Sequence, residues 1–139
     1  MKTERDYSHR SLFEKLGLRS EMHVAVCGIQ DDAFLLELNA RLAMSASQHL
    51  RTKYDMIFVQ IDGPANLERV ARAAAHLRPN GAVWVFHPKG RGASPTDAQV
   101  RAAGIAAGLV DNKICALNET HTSTKFVIPL TKRPAPSLI

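Results

Sequence analysis

The sequence predicts a three-layer α/β domain: a mostly parallel sheet of about five or six strands with helices on both faces and one antiparallel hairpin strand at the carboxyl end. Three observations carry it. Short apolar runs rich in branched and aromatic residues recur at 23–28, 55–61, 82–87 and 113–117. Segments with apolar residues at helical spacing stand between them, as right-handed βαβ crossovers require. A last run, Lys125–Pro129, follows the turn segment NETHTS closely enough to pair back as a hairpin.

The elements follow in order. Ser11-Leu-Phe-Glu14 is a capping-box pattern, so a short helix should open there and stop at Gly17. HVAVCG, ending at Gly28, reads as a buried strand and tight turn, after which Asp31 and Asp32 offer an N-cap to a helix carrying Phe34, Leu35, Leu38 and Leu42 on one face. Ser45–Tyr54 is polar and weakly patterned, with room for a short edge strand. DMIFVQI is a buried strand broken by Asp62-Gly-Pro64, and from Asn66 a helix places Leu67, Val70, Ala71, Ala74 and Leu77 on one side. Arg78-Pro-Asn-Gly81 ends that helix as a turn, and Ala82–His87 forms the next strand, with Trp84 directed into the core and Pro88 as the stop. The loop KGRGASP leads to a second capping box, Thr96-Asp-Ala-Gln99, whose helix carries Val100, Ala103, Gly104 and Ala107 and ends near Gly108.

Composition bounds the rest. With 139 residues, 45% of them hydrophobic, the chain suits one domain over 1–130 with a flexible tail over 131–139. The net charge of +5 is dispersed, from Arg5, Arg10, Lys15 and Arg19 to Lys132 and Arg133, and no aromatic ladder accompanies it, which disfavours a nucleic-acid footprint. No apolar run of about 18 residues exists to span a membrane. MKTERDYSHR lacks an apolar signal core, so a cytoplasmic location is expected. Cys27 and Cys115 sit in apolar runs and read as buried free thiols. The six histidines, at positions 9, 23, 49, 76, 87 and 121, lack metal-ligand spacing, and no metal site is expected. The nucleophile elbow, phosphate loop and dinucleotide fingerprint are all missing from the sequence.

LRPNGAVWVFHPKG, preceded by a helix and followed by a hairpin, resembles the second half of class I methyltransferases, where a proline–glycine turn leads into the fifth strand. KLGLRSEMHVAVCGIQDD likewise resembles their first strand, but of the glycine-rich turn that follows only Gly28 is kept, and Gln30, Asp31 and Asp32 stand in place of small residues. SLFEKLG, WVFHPKG, TDAQVRAAG, GLVDNKICALNET and KF together are similar to a family of small bacterial proteins classed as a domain of unknown function. The resemblance implies a Rossmann-like, methyltransferase-like architecture and assigns no catalytic residue. Glycines let a ligand approach the main chain, so their loss argues that no cofactor is held, S-adenosylmethionine being the one to test.

Ligands of open parallel sheets bind beyond the carboxyl ends of the strands. That rule gathers Asp62, His87, Lys89, Glu119, His121 and Lys125 on one rim. Lys89 suits an anion anchor or a solvated strand cap, and Glu119 with His121 suits a base and acid or a polar hairpin turn. Asp62 suits a turn before Gly63-Pro64, and Asp111 with Lys113 a structural ion pair. Two functions follow. The first is a non-catalytic binding or interaction module on a degenerate methyltransferase-like scaffold, taking a protein partner or a small anionic ligand. The alternative is a small enzyme or ligand sensor, a divergent transferase working at the rim. Exposed sheet edges leave room for a homodimer.

Overall fold

The computed structural model describes residues 12–134. Ser11 of the first capping box and residues 135–139 of the tail lie outside them.

A helical segment over 12–16 (α1) ends at Gly17, whose φ of +78° only glycine adopts readily. The amides of Gly17 and Leu18 reach back to the carbonyls of Glu14 and Phe13, closing the end of the helix. Strand β1 (Val24–Cys27) then leads into α2 (Asp32–Arg41), β2 (Tyr54–Gln60), α3 (Glu68–Ala74), β3 (Leu77–Pro88), α4 (Asp97–Ala106), β4 (Val110–Ala116) and β5 (His121–Val127). The five strands form one sheet in the order β1-β2-β3-β5-β4. The first three are parallel neighbours, and β5 is antiparallel to both β3 and β4.

Alternation along the strands builds two cores. Ile57, Val59, Val83, Val85 and Phe126 face α3 and α4 and pack with Val70, Ala73 and Val100. Met56, Phe58, Trp84 and Phe86 face α1 and α2 and pack with Phe13, Leu16, Leu38 and Leu42. Trp84 is fully buried, and its indole Nε1 donates to the Leu16 carbonyl at 2.9 Å. One bond thus satisfies both the buried N–H and an orphan carbonyl at the end of α1.

The local signals that the sequence carries are realised at the helix ends. Asp31 caps α2 by accepting from the Phe34 amide, and Thr96 with Gln99 forms a complete capping box on α4. Pro64–Asn66 makes a turn of 3-10 helix before α3, so the helix starts at Glu68, two residues later than the spacing predicts.

Three expectations change. Arg78–Gly81 is not a turn between elements but the irregular start of β3: Leu77 sits opposite Tyr54, Ala82 opposite Met56, and the register shifts between them. Arg78 anchors that excursion through Nη1, 3.1 Å from each carboxylate oxygen of Asp55. The last strand begins at His121, four residues ahead of Lys125, because the side chain of Asn118 folds the hairpin into a tight turn. Asp111 pairs with Arg101 of α4 at 3.2 Å, whereas Lys113 donates to the Lys15 carbonyl.

β5 returns between β3 and β4, which leaves β4 at the edge with a register break at Asn112. At the opposite edge, Ser47 makes a single parallel bridge to Ala25. Cys27 and Cys115 are both free thiols; Cys115 is buried and Cys27 partly so. Among the described residues no helix is long and apolar enough to cross a membrane.

Candidate ligand cleft at the carboxyl edge of the sheet

The carboxyl ends of β1, β2 and β3 and the β4–β5 turn converge on the α1–α2 face, where they bound a cleft of about 590 Å³. The turn after β1 supplies one lining residue, Ile29. After β1 the chain turns at Gly28, with φ at +79°, and drops Ile29 into the core. From the other side of the sheet, Arg69 of α3 lies across Gly28, and its Nη1 donates to the Gln60 carbonyl at 2.7 Å. Gly28 therefore makes room for a protein side chain.

The apolar part of the cleft is aromatic. Phe34 meets Phe86 edge-on at 5.3 Å between ring centroids and Phe13 in a stack at 5.4 Å. Arg41 sits 4.8 Å from the Phe13 ring centroid and 3.4 Å from a Glu37 oxygen. Asp31 and Glu37 contribute carboxylates to the lining, which contains no lysine or arginine.

The polar rim is a connected set of side chains. Asp62 Oδ1 accepts from Gln60 Nε2 at 2.9 Å and lies 3.2 Å from His121 Nε2. The other ring nitrogen of His121, Nδ1, lies 2.8 Å from Thr120 Oγ1. Asn118 Oδ1 accepts from the Thr120 and His121 amides and lies 3.0 Å from Thr120 Oγ1, as an alternative acceptor for its one proton. A carboxylate only accepts, so the proton of a neutral His121 belongs on Nε2 and Nδ1 faces the hydroxyl as an acceptor. Gln60, Asn118, Thr120 and His121 all line the cleft.

Of the six residues the sequence gathers on one rim, the structure brings Asp62 and His121 together. Lys89 is half-buried beside the hairpin; its backbone amide donates to the Thr120 carbonyl at 3.0 Å, and its side chain does not line the cleft. Glu119 is exposed at the hairpin tip and is also outside the lining. Lys125 lies within β5, opposite Trp84 and Lys113, well back from the rim. There burial, and then the charge of Lys113, hold its ammonium below the usual lysine range.

His87 belongs to the other face. It follows Val83 and Val85 in alternation and is 1% exposed, with Nε2 2.9 Å from Thr124 Oγ1 and Nδ1 3.2 Å from the Pro88 carbonyl. Burial pushes its pKa down, against the opposing pull of the Pro88 carbonyl and of Asp97. The residues that sequence reasoning leaves out of the site are Phe13, Phe34 and Phe86, whose apolar surroundings mark them as core, and Gln60, which ends a buried strand. Thr120 stands out only by its place beside His121 in NETHTS.

Among the described residues no group of three or more His, Cys, Asp or Glu side chains is arranged to hold a metal ion. No protein-family model matches the chain, and no curated protein is similar to it in sequence. Solved structures are similar in fold. Magnesium protoporphyrin IX methyltransferase from Synechocystis PCC 6803, solved with bound S-adenosylmethionine, superposes with a TM-score of 0.66 at 9% identity, over 91% of this chain and 79% of that one. A SAM-dependent methyltransferase from Aquifex aeolicus gives 0.62 at 10% identity, over 86% and 89%. The CcbJ methyltransferase from Streptomyces caelestis gives 0.61 at 9%, over 86% and 88%. With its parallel strands, closing antiparallel hairpin and helices on both faces, this chain has the Rossmann-like fold of class I S-adenosylmethionine-dependent methyltransferases.

Proposed function

We propose that the protein is a small-ligand-binding domain on a methyltransferase-like scaffold, and that it takes a neutral or cationic organic molecule in the cleft at the carboxyl edge. The observation that carries this reading is the lining itself. Aromatic surface from Phe34 and Phe86 lies beside fixed hydrogen-bonding groups of Gln60, Asn118 and His121, a combination suited to orienting a small molecule. Asp31 and Glu37 line the space, Glu37 paired with Arg41, and no lysine or arginine is part of the lining, so the cleft offers an anionic ligand no direct cationic anchor.

The usual cofactor of this fold does not fit the turn after β1. Where a ligand would approach a glycine main chain, the Cα of Gly28 is covered by the Arg69 guanidinium. The Phe34 amide at the start of α2, which could bind a ligand oxygen, is already taken by Asp31 Oδ1 at 3.1 Å.

The test is a thermal-shift and calorimetry screen of neutral, cationic and anionic metabolites, S-adenosylmethionine included, on the wild type and on Ala33→Trp. Ala33 is exposed on α2 and lines the cleft, so the indole fills the space without entering the core. Stabilisation of the wild type by a neutral or cationic compound, absent in Ala33→Trp, is the expected result. Equal stabilisation of both proteins would overturn the cleft as the site. Stabilisation by S-adenosylmethionine that Ala33→Trp abolishes would keep the cleft and overturn the argument against the cofactor.

A further inference from the structure

We infer that Thr120, His121 and Asp62 form a nucleophile–base–carboxylate triad at the mouth of the cleft, and that the site hydrolyses a small ester through an acyl-threonine. The inference deepens the reading of the cleft as a ligand site and rests on it.

Three requirements of an activated hydroxyl are met by geometry. The nucleophile must lie within hydrogen-bond reach of its base, and Thr120 Oγ1 is 2.8 Å from His121 Nδ1. The base must be oriented by a third group, and His121 Nε2 is 3.2 Å from Asp62 Oδ1. The orienting group must itself be held, and Asp62 Oδ1 also accepts from Gln60 Nε2. Thr120 and His121 are neighbours in the hairpin, whereas Asp62 comes from the end of β2, 59 positions from His121, so the fold brings the carboxylate to a base and hydroxyl that the turn sets side by side.

The hydroxyl is also fixed in position. Thr120 is tied at its carbonyl by the Lys89 amide and at its amide by Asn118 Oδ1, which also lies 3.0 Å from its hydroxyl oxygen. Asn118 Oδ1 gives the set a second useful property. With His121 neutral, the Thr120 hydroxyl donates to Nδ1. With His121 protonated, Nδ1–H donates to Thr120 Oγ1 while that hydroxyl turns to Asn118 Oδ1, 3.0 Å away. The ring keeps a partner on both nitrogens in either state, so taking up a proton breaks no hydrogen bond without making another.

The chemistry balances with water as the only co-reactant. Thr120 Oγ1 attacks the ester carbonyl carbon, the new C–O bond forms, the carbonyl electron pair moves to oxygen and the hydroxyl proton passes to Nδ1. Collapse of the adduct breaks the bond to the leaving alkoxide, which takes that proton and departs as the alcohol. Water then repeats the sequence on the acyl-threonine, giving its proton to Nδ1, and Thr120 recovers its proton as the acid is released. Asp62 holds the imidazolium without taking a proton. Asn118 Nδ2, which makes no hydrogen bond among the described residues, is the side-chain donor left for the developing oxyanion.

The experiment incubates the full chain with p-nitrophenyl acetate, follows p-nitrophenolate release and maps acetylated peptides by mass spectrometry. The variants are Thr120→Val, His121→Gln, Asp62→Asn and Ala33→Trp. Expected are an acetyl group on Thr120 in the wild type and release slowed about a hundredfold in Thr120→Val and His121→Gln, the scale of a general base. Asp62→Asn should lose less and shift the pH profile. Thr120 is exposed, so its valine variant should fold, and circular dichroism verifies this. Absence of the label from Thr120, or release by Thr120→Val at the wild-type rate, overturns the triad. The cleft reading fails separately: Thr120 labelled as fast in Ala33→Trp as in the wild type supports the triad and removes the cleft. Ligand stabilisation lost in Ala33→Trp with no label on Thr120 does the reverse.

Discussion

Arg69 lies across the Cα of Gly28 and donates to the Gln60 carbonyl, so one side chain from α3 joins the carboxyl ends of β1 and β2. A Cβ at position 28 would collide with the guanidinium, and the φ of +79° is strained for any other residue. Gly28→Ala should therefore cost about 1–2 kcal/mol, mostly from the backbone, because the tip of an arginine can move aside. The displaced tip loses its bond to Gln60, so Arg69→Ala should cost less in the Gly28→Ala background than in the wild type. Urea unfolding of the four proteins of this cycle measures the coupling. Strict additivity would mean that the two residues share no energetic contact.

Gly104 is the packing counterpart on the same side of the sheet. It lies inside α4, where alanine is ordinarily better than glycine by about 1 kcal/mol. Here a Cβ would fall inside contact distance of three ring atoms of Phe126, which is fully buried in β5. The ring is pinned between helix and sheet and has nowhere to go, and overpacking costs about 1–3 kcal/mol. The steric cost wins. Gly104→Ala should be destabilising in thermal unfolding, and Phe126→Leu should cost less in that background than alone.

His87 gives the stability a pH dependence of fixed sign. Burial holds its pKa below the ordinary 6.5, outweighing the Pro88 carbonyl and Asp97, while the charge of His121 adds to the lowering. The unfolded chain then binds a proton where the folded chain does not. Stability rises with pH across the window between the folded pKa and 6.5, is fully present above it and is lost as the pH falls. The slope approaches about 1.4 kcal/mol per pH unit where only the unfolded form is protonated. Urea unfolding of wild type and His87→Gln between these limits should give curves that converge on acidification. Parallel curves would assign the pH dependence to other groups.

How much of this was legible depends on how local the cause is. Thr96 and Gln99 satisfy each other three residues apart, at 3.1 and 2.8 Å, and the pattern alone places them. The buried runs of β2 and β3 are equally plain. Arg78–Gly81 was not legible, because its inclusion in β3 depends on Leu77 finding Tyr54 in another strand. His87 was placed by its position at a strand end, although its alternation with Val83 and Val85 carries it to the α4 side. Lys125 was displaced by the early start of β5, which Asn118 sets through bonds that a turn-like composition does not specify. The aromatic floor was hidden for the opposite reason: Phe34 and Phe86 look like core, and they are core on one side and cleft on the other.

Lys125 offers the sharpest separation of stability from the site. It stands opposite Trp84 on one strand and Lys113 on the other, and facing residues of an antiparallel pair share a face of the sheet. Burial first, and then the Lys113 charge, disfavour its ammonium, and no carboxylate among the described residues pairs with it. A folded pKa below the ordinary 10.5 means that the charged form is stabilised less in the folded chain than in the unfolded one, so the charge costs stability at neutral pH. Solvent screening keeps that cost small, about 0.5 kcal/mol. Lys125→Met keeps an unbranched stem of similar length and removes the charge, and should raise the melting temperature slightly. Lys113→Met relieves the same repulsion but gives up the bond to the Lys15 carbonyl, so it should be more destabilising in the Lys125→Met background, where no repulsion is left to relieve, than in the wild type. Neither residue lines the cleft, so ligand stabilisation and the Thr120 label should be unchanged in both. A drop in stability on Lys125→Met would show that the ammonium has a favourable partner, and loss of ligand binding would restore it to the site.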